Sequence, residues 1–217
     1  MSAPLVRFRT AVEVGAAAPR VARHLRAGGL VAYPTETVYG FGCALLPEAL
    51  AALARLKSRA ETKPFLLLIR SIEEAPDLEW TDAARSLAAA FWPGPLTLGL
   101  RGDPRRYPPG VIATDGTVAV RATPHAGVRA LLAELRGPIT STSANRRGQP
   151  PATSAAEVLA VLRDLESAQE VWVLDGGALP PSPPSTIVDC SGARPRLLRA
   201  GAVPVQALRE ALDELDA

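Results

Sequence analysis

The chain has 217 residues and a formal net charge of +2, with 47% hydrophobic and 21% charged residues, proportions that exclude a disordered or collagen-like chain. Apolar runs such as 65–69 fall far short of the roughly 20 residues needed to cross a bilayer. Residues 1–10 carry Arg7 and Arg9 without a continuous apolar stretch, so no membrane span or secretory signal is expected and the cytoplasm is the default compartment.

The pattern of residues predicts the following elements in chain order. A helix over 20–27 follows Pro19 and stops at Gly28-Gly29, because proline suits a helix start and glycine its end. A strand over 30–33 is broken by Pro34, and 47–56 has leucines at helical spacing, Leu50, Leu53 and Leu56. A strand over 65–69 precedes a helix over 81–91 capped by Thr81 or Asp82, which Trp92-Pro93-Gly94-Pro95 ends. Strands over 96–100 and 117–122, a helix over 124–135 and a strand over 138–142 follow. Ser154 with Glu157 makes a capping box for a helix through about 165. Then come a strand over 171–174, a proline-rich loop over 176–184, strands over 186–189 and 196–198, and a closing helix over 204–215. Alternating strands and helices, with several strand-to-strand passages, imply one α/β domain built on a mixed sheet. Neither a linker nor an internal repeat appears.

Two cysteines, Cys43 and Cys190, have no companion spacing for zinc or a disulfide framework, and His24 and His125 are the only histidines. Buried, reduced thiols and no dedicated metal site are expected. Any chemistry then rests on charge, hydroxyls and backbone dipoles. Of 24 basic residues 22 are Arg, and both lysines, Lys57 and Lys63, fall in the stretch Lys57-Ser58-Arg59-Ala60-Glu61-Thr62-Lys63. Three cations at a helix end either support the helix C-terminus or clamp a polyphosphate.

Other polar segments interrupt the apolar elements. Tyr33-Pro34-Thr35-Glu36-Thr37-Val38-Tyr39-Gly40-Phe41-Gly42 has a Gly-x-Gly but no third glycine, and no Gly-Lys pair occurs, so neither the dinucleotide fingerprint nor a P-loop is present. In Ile139-Thr140-Ser141-Thr142-Ser143-Ala144-Asn145, a strand passes into hydroxyls and an amide; these suit an anion or adenylate, or a turn that satisfies its own backbone. Pro184-Ser185-Thr186-Ile187-Val188-Asp189 is followed by Arg199-Ala200-Gly201. Arg121 stands at the end of the apolar strand Val118-Ala119-Val120-Arg121, a place suited to capture of a carboxylate.

The ordered set Tyr-Pro-Thr-Glu-Thr-Val-Tyr-Gly (33–40), Lys-Ser-Arg with Lys63-Pro64 (57–64), Phe-Trp-Pro-Gly-Pro-Leu-Thr (91–97), Val-Ala-Val-Arg (118–121), Ser-Ala-Asn (143–145), Pro-Ser-Thr-Ile-Val-Asp (184–189) and Arg-x-Gly (199–201) closely resembles the YrdC-like family. Within it the match is to the single-domain threonylcarbamoyl-AMP synthases of the TsaC type, from about residue 16 to 203. The resemblance implies a YrdC-like α/β domain, with a twisted mixed sheet, flanking helices and a concave cationic cleft. Its core would span about 16–203 of the 217 residues, closed by a helix over about 204–215 and without the second domain of longer relatives.

The resemblance further implies an enzyme that joins L-threonine, bicarbonate or CO2, and ATP into threonylcarbamoyl-adenylate and pyrophosphate, for modification of a tRNA adenosine beside the anticodon. Thr35, Arg121 and Ser185 would hold the threonine. Arg59 and Lys63, with Lys57, would form the catalytic cationic wall against the phosphates, and Ser141, Ser143, Asn145 and Arg199 would surround the nucleotide. Mg²⁺ would arrive with ATP, and tRNA threonylcarbamoyl-transferase proteins would consume the product. Ala60, where the family has proline, and Leu68, where relatives often carry histidine, depart from the pattern. The competing expectations are another carbamoyl-adenylate-handling protein on the same fold and an RNA-binding module; a net charge of +2 and 5% aromatics argue against the latter.

Overall fold

The computed structural model describes residues 3–58, 64–165, 170–212 and 215–216. In chain order the elements are β1 (Leu5–Arg7), α1 (Ala11–Arg26), β2 (Leu30–Pro34), β3 (Tyr39–Gly42), α2 (Pro47–Leu56), β4 (Leu66–Ile69), α3 (Asp82–Phe91), β5 (Leu96–Arg101), β6 (Thr117–Ala122), α4 (Ala126–Leu135), β7 (Ile139–Ser143), α5 (Ala155–Asp164), β8 (Val171–Asp175), β9 (Thr186–Asp189), β10 (Arg196–Arg199) and α6 (Val205–Ala211). The strands form one ten-stranded sheet in the order β1-β8-β2-β3-β7-β4-β6-β5-β9-β10. Parallel pairs such as β4 with β6 and β5 with β9 alternate with antiparallel ones such as β2 with β3 and β5 with β6. The domain is therefore α/β with a mixed sheet.

Side-chain alternation along the strands divides the core in two. Leu30 and Ala32 of β2, Leu67 and Ile69 of β4, Leu96, Leu98 and Leu100 of β5, and Val118, Val120 and Ala122 of β6 join one cluster, with apolar residues of α2, α3, α5 and α6. The alternate residues Val31, Tyr33 and Leu68 join a second cluster with Val21 and Leu25 of α1 and Val128, Leu131 and Leu132 of α4. No buried residue of β5, β6 or β9 belongs to this second cluster. On that face of β5 and β6 the alternate positions are instead polar or small, among them Thr97, Gly99 and Arg121.

Four differences from the sequence expectation have physical causes. The helix expected over 20–27 is the second half of α1, which starts at a capping box of Thr10 and Glu13 with Pro19 inside it. Pro19 and Gly15 are both exposed, so the carbonyl of Gly15 that loses its helical partner faces water. β3 lies in a segment expected to be a polar loop; its glycines hid the alternation of Tyr39 and Phe41 into the core. Glu157 reaches past Ser154 to the Thr153 amide (2.7 Å), while Ser154 accepts from the Glu157 amide at 3.3 Å. The closing helix ends at Ala211 and not 215, because Asp216 bridges to Arg196 and accepts a hydrogen bond from the Leu197 amide.

Burial pushes the thiols of Cys43 and Cys190 up to about 11 and about 12, so both are protonated at neutral pH. Among the described residues no helix is long and apolar enough to cross a membrane.

Gly42 permits the closest approach in the sheet. A Cβ there would stand 2.1 Å from the Thr140 carbonyl oxygen and 2.9 Å from the Tyr33 ring, whose hydroxyl donates to that same oxygen at 2.8 Å. Gly42→Ala is expected to destabilise the protein by about 2–3 kcal/mol through overpacking and lower Tm by roughly 5–10 °C in thermal melts; an unchanged Tm would contradict this packing.

Candidate active site

The polar groups left on the sheet face beyond α1 and α4 converge around Arg121. β6 sets Arg121 in register with Leu68 of β4, and the arginine is only 4% exposed. Its Nη1 lies 3.5 Å from Oε1 of Glu36, longer than a good charge-assisted hydrogen bond. Among the described residues the Nε of Arg121 and Oε1 of Glu36 are both buried without a hydrogen-bond partner, which normally costs on the order of 1–3 kcal/mol per group. The other oxygen of Glu36 accepts from Thr123 Oγ1 at 2.7 Å, and Thr123 Oγ1 in turn accepts from the His125 amide at 3.2 Å. His125 caps α4 by accepting from the Val128 amide at Nδ1. Burial lowers its proton affinity against the opposing pull of Glu36, in keeping with a neutral acceptor.

Ser185, 5% exposed, immediately precedes β9, which pairs with β5. Its carbonyl accepts from Nε (3.0 Å) and Nη2 (2.7 Å) of Arg199, and its hydroxyl lies 3.1 Å from that Nη2 and 3.0 Å from Thr97 Oγ1. Burial and, second, repulsion by Arg121 lower the proton affinity of Arg199. The two guanidiniums therefore sense one another, and among the described residues Glu36 pairs with Arg121 alone. Among the described residues the cluster has two cations and one carboxylate, a balance that favours an anion.

A second group forms where β7 ends. Lys57, at the C-cap of α2, donates from Nζ to the carbonyl of Ser143 (2.9 Å), the carbonyl of Asn145 (2.5 Å) and Asn145 Oδ1 (2.8 Å), and stands 5.8 Å above the Phe41 ring. Ser143 Oγ donates to Asn145 Oδ1 at 2.8 Å, and Asn145 Nδ2 donates to the Gln149 carbonyl at 2.6 Å. The 143–149 turn thus satisfies its own polar groups, with Lys57 as its anchor. Ser141, on the same face of β7 as Ser143, lies against Gly40: a Cβ on that glycine would sit 3.1 Å from its hydroxyl.

Of the residues expected to act, Arg121, Ser185 and Arg199 come together, and Lys57, Ser143 and Asn145 come together around the turn. Thr35 is buried in the link from β2 to β3, where its hydroxyl donates to the Val38 carbonyl (2.7 Å) and accepts from the Thr37 and Val38 amides. Arg59 and Lys63, and the Ala60 departure, lie outside the described residues. Leu68 is fully buried in the α1/α4 cluster beside Arg121 in the sheet, so the neighbour of Arg121 on β4 is apolar. The sequence reasoning missed Glu36, Thr97 and Thr123. Thr97 had a signal, because Leu96-Thr97-Leu98-Gly99-Leu100 alternates apolar with small or polar residues and so aims the threonine away from the core.

The chain is similar to proteins already known. The family model of Sua5, YciO and YrdC proteins, described as Telomere recombination, matches residues 23–201. A threonylcarbamoyl-AMP synthase of Chromohalobacter salexigens is 42% identical over 76% of this chain and 88% of its own. One of Bacillus subtilis is 36% identical over 82% of this chain, which spans about half (51%) of that relative. Among solved structures, Sua5 of Pyrococcus abyssi complexed with L-threonine superposes with a TM-score of 0.87 at 34% identity, covering 98% of this chain and 62% of that one.

Replacing Lys57 with Met keeps the stem over Phe41 and removes three donors. Hydrogen bonds to a charged group are worth about 1.5–3 kcal/mol each in net terms, less when they share one donor group. Lys57→Met is expected to speed amide hydrogen exchange across 143–149 at least tenfold, with strands remote from the turn little affected. Unchanged protection there would show that the turn stands without the lysine.

Proposed function

Because the chain belongs to the family of Sua5, YciO and YrdC proteins, we propose that it is an L-threonylcarbamoyladenylate synthase, a nucleotidyltransferase that converts L-threonine, bicarbonate or CO2, and ATP into threonylcarbamoyl-AMP and pyrophosphate. The observation that carries the proposal is the buried Arg121, whose Nε has no hydrogen-bond partner among the described residues, within repelling range of the Arg199 that holds Ser185. A planar guanidinium with a spare donor suits the carboxylate of an amino acid.

In this reading Arg121 holds the threonine carboxylate, Ser185 lies beside it, and Thr35 shapes the adjoining wall through its turn. The threonine amine captures CO2 to form a carbamate. A carbamate oxygen then attacks the α-phosphorus of ATP in line, and the bond to pyrophosphate breaks with the electron pair leaving on pyrophosphate. Neither step requires a protein nucleophile; both require two anionic reactants to be aligned and their charge offset. Arg59 and Lys63 take the role of offsetting phosphate charge, Lys57 holds the turn bearing Ser143 and Asn145, and Ser141 and Arg199 complete the nucleotide wall. Mg²⁺ enters as the complex with ATP, where it neutralises phosphate charge.

The product is a mixed anhydride, so its consumer is an acyl-accepting partner: proteins that transfer the threonylcarbamoyl group to a tRNA adenosine next to the anticodon. These substrates and this partner assign the protein to the cytoplasm.

Purified protein supplied with ATP and Mg²⁺ is expected to release pyrophosphate only when both L-threonine and bicarbonate are present. Release indifferent to threonine would overturn the proposal.

A further inference from the structure

We infer that Thr123 is a positioning residue that ties down one oxygen of Glu36 and so keeps donors of Arg121 open for the amino-acid carboxylate; this rests on the function proposed above. The backbone at each end of the tie is held locally. Residues 35–38 form a turn in which the Thr35 amide donates to the Val38 carbonyl (3.1 Å), while the Thr35 hydroxyl donates to the same carbonyl and accepts from the Thr37 and Val38 amides. Thr123 directly follows β6 and is fully buried, and its hydroxyl oxygen accepts from the His125 amide (3.2 Å). What remains free is the side chain of Glu36, which at 16% exposure is not enclosed by packing.

The sense of each hydrogen bond along this chain is fixed by chemistry. A backbone amide only donates, so the Thr123 oxygen accepts from His125; a carboxylate only accepts, so the Thr123 proton goes to Glu36 Oε2 at 2.7 Å. No proton in the chain is left without an acceptor. The tie leaves Oε1 of Glu36 toward Arg121, 3.5 Å from Nη1, and among the described residues Nε of Arg121 has no partner. A carboxylate beside a guanidinium otherwise favours the fork of two parallel hydrogen bonds. Released from Thr123, Glu36 is free to turn both oxygens to Arg121 and occupy the donors that a substrate carboxylate requires. Thr123 thus holds an internal competitor off the guanidinium.

The test is a double-mutant cycle read by isothermal titration of L-threonine and, separately, of ATP. Valine keeps the shape of Thr123 and deletes its proton, so Thr123→Val is expected to weaken L-threonine binding about tenfold and to change ATP binding less than twofold. Thr123→Ser keeps the proton and is expected to bind L-threonine as the wild type does. Valine also deprives the His125 amide of its acceptor, and the cycle separates that structural effect from the proposed one. In a Glu36→Gln background no carboxylate remains to close on Arg121, so adding Thr123→Val is expected to weaken L-threonine binding less than twofold further. Should Thr123→Val fail to fold, Thr123→Ala taken through the same two backgrounds decides in its place. Unchanged or tighter L-threonine binding in Thr123→Val, an equal loss in Thr123→Ser, or the same loss with and without Glu36→Gln would overturn the inference. Wild-type protein that does not bind L-threonine would instead strike the proposed function.

Discussion

A buried arginine, Arg121, with one carboxylate beside it and a second arginine near enough to repel it, sets the terms for the rest of this molecule. A guanidinium cannot shed its proton, and burying it without a counter-charge is expensive. Arg121 is nonetheless almost wholly buried, with Glu36 held at 3.5 Å and Nε unpaired. Glu36 does not close on it, because its other oxygen is tied to Thr123. Arg199 adds a second positive charge within reach of the first. On the proposed function, this unfinished electrostatic arrangement is one that an incoming carboxylate would complete, a site made ready before its substrate arrives.

The fold makes this arrangement tolerable by dividing the sheet. One face is packed along its length by α2, α3, α5 and α6, with leucines and valines from nearly every strand. The other is packed by α1 and α4 only over part of its width, so β5, β6 and the residue leading into β9 present Thr97, Arg121 and Ser185 instead of apolar residues. The same alternation that drives leucine into the core of β5 and β6 aims these polar groups at one another. Antiparallel pairing of β5 with β6 and parallel pairing of β5 with β9 bring together residues far apart in sequence. Chemistry here depends on strand register more than on any one motif.

Much of this was legible beforehand, for reasons that differ by element. α2, β6 and β9 follow their sequence boundaries because proline, leucine spacing and β-branched runs mark both ends. Arg121 stood out as a charge in an apolar strand, and Ser185 and Arg199 belonged to motifs. The second glycine-bearing strand did not stand out, since Gly40 and Gly42 remove the very side chains from which alternation is read. The first half of α1 was obscured by Pro19, whose missing donor matters little on a solvated side. Glu36 and Thr97 required the register: nothing local says that residue 36 faces residue 121, or that residue 97 meets residue 185. Lys57 was read as a phosphate contact, and its hydrogen bonds to Ser143 and Asn145 emerge only from the folded chain.

The central claim is that the Arg121 site takes a carboxylate, and isothermal titration with paired ligands tests it most directly. L-threonine and L-threoninol share the amine, the side-chain hydroxyl and the stereochemistry, and differ in whether the carboxylate is present. The account predicts that L-threonine binds and that L-threoninol binds at least ~100-fold more weakly, in line with the loss of charge-assisted hydrogen bonds to a buried guanidinium. Equal affinity for the two would contradict it.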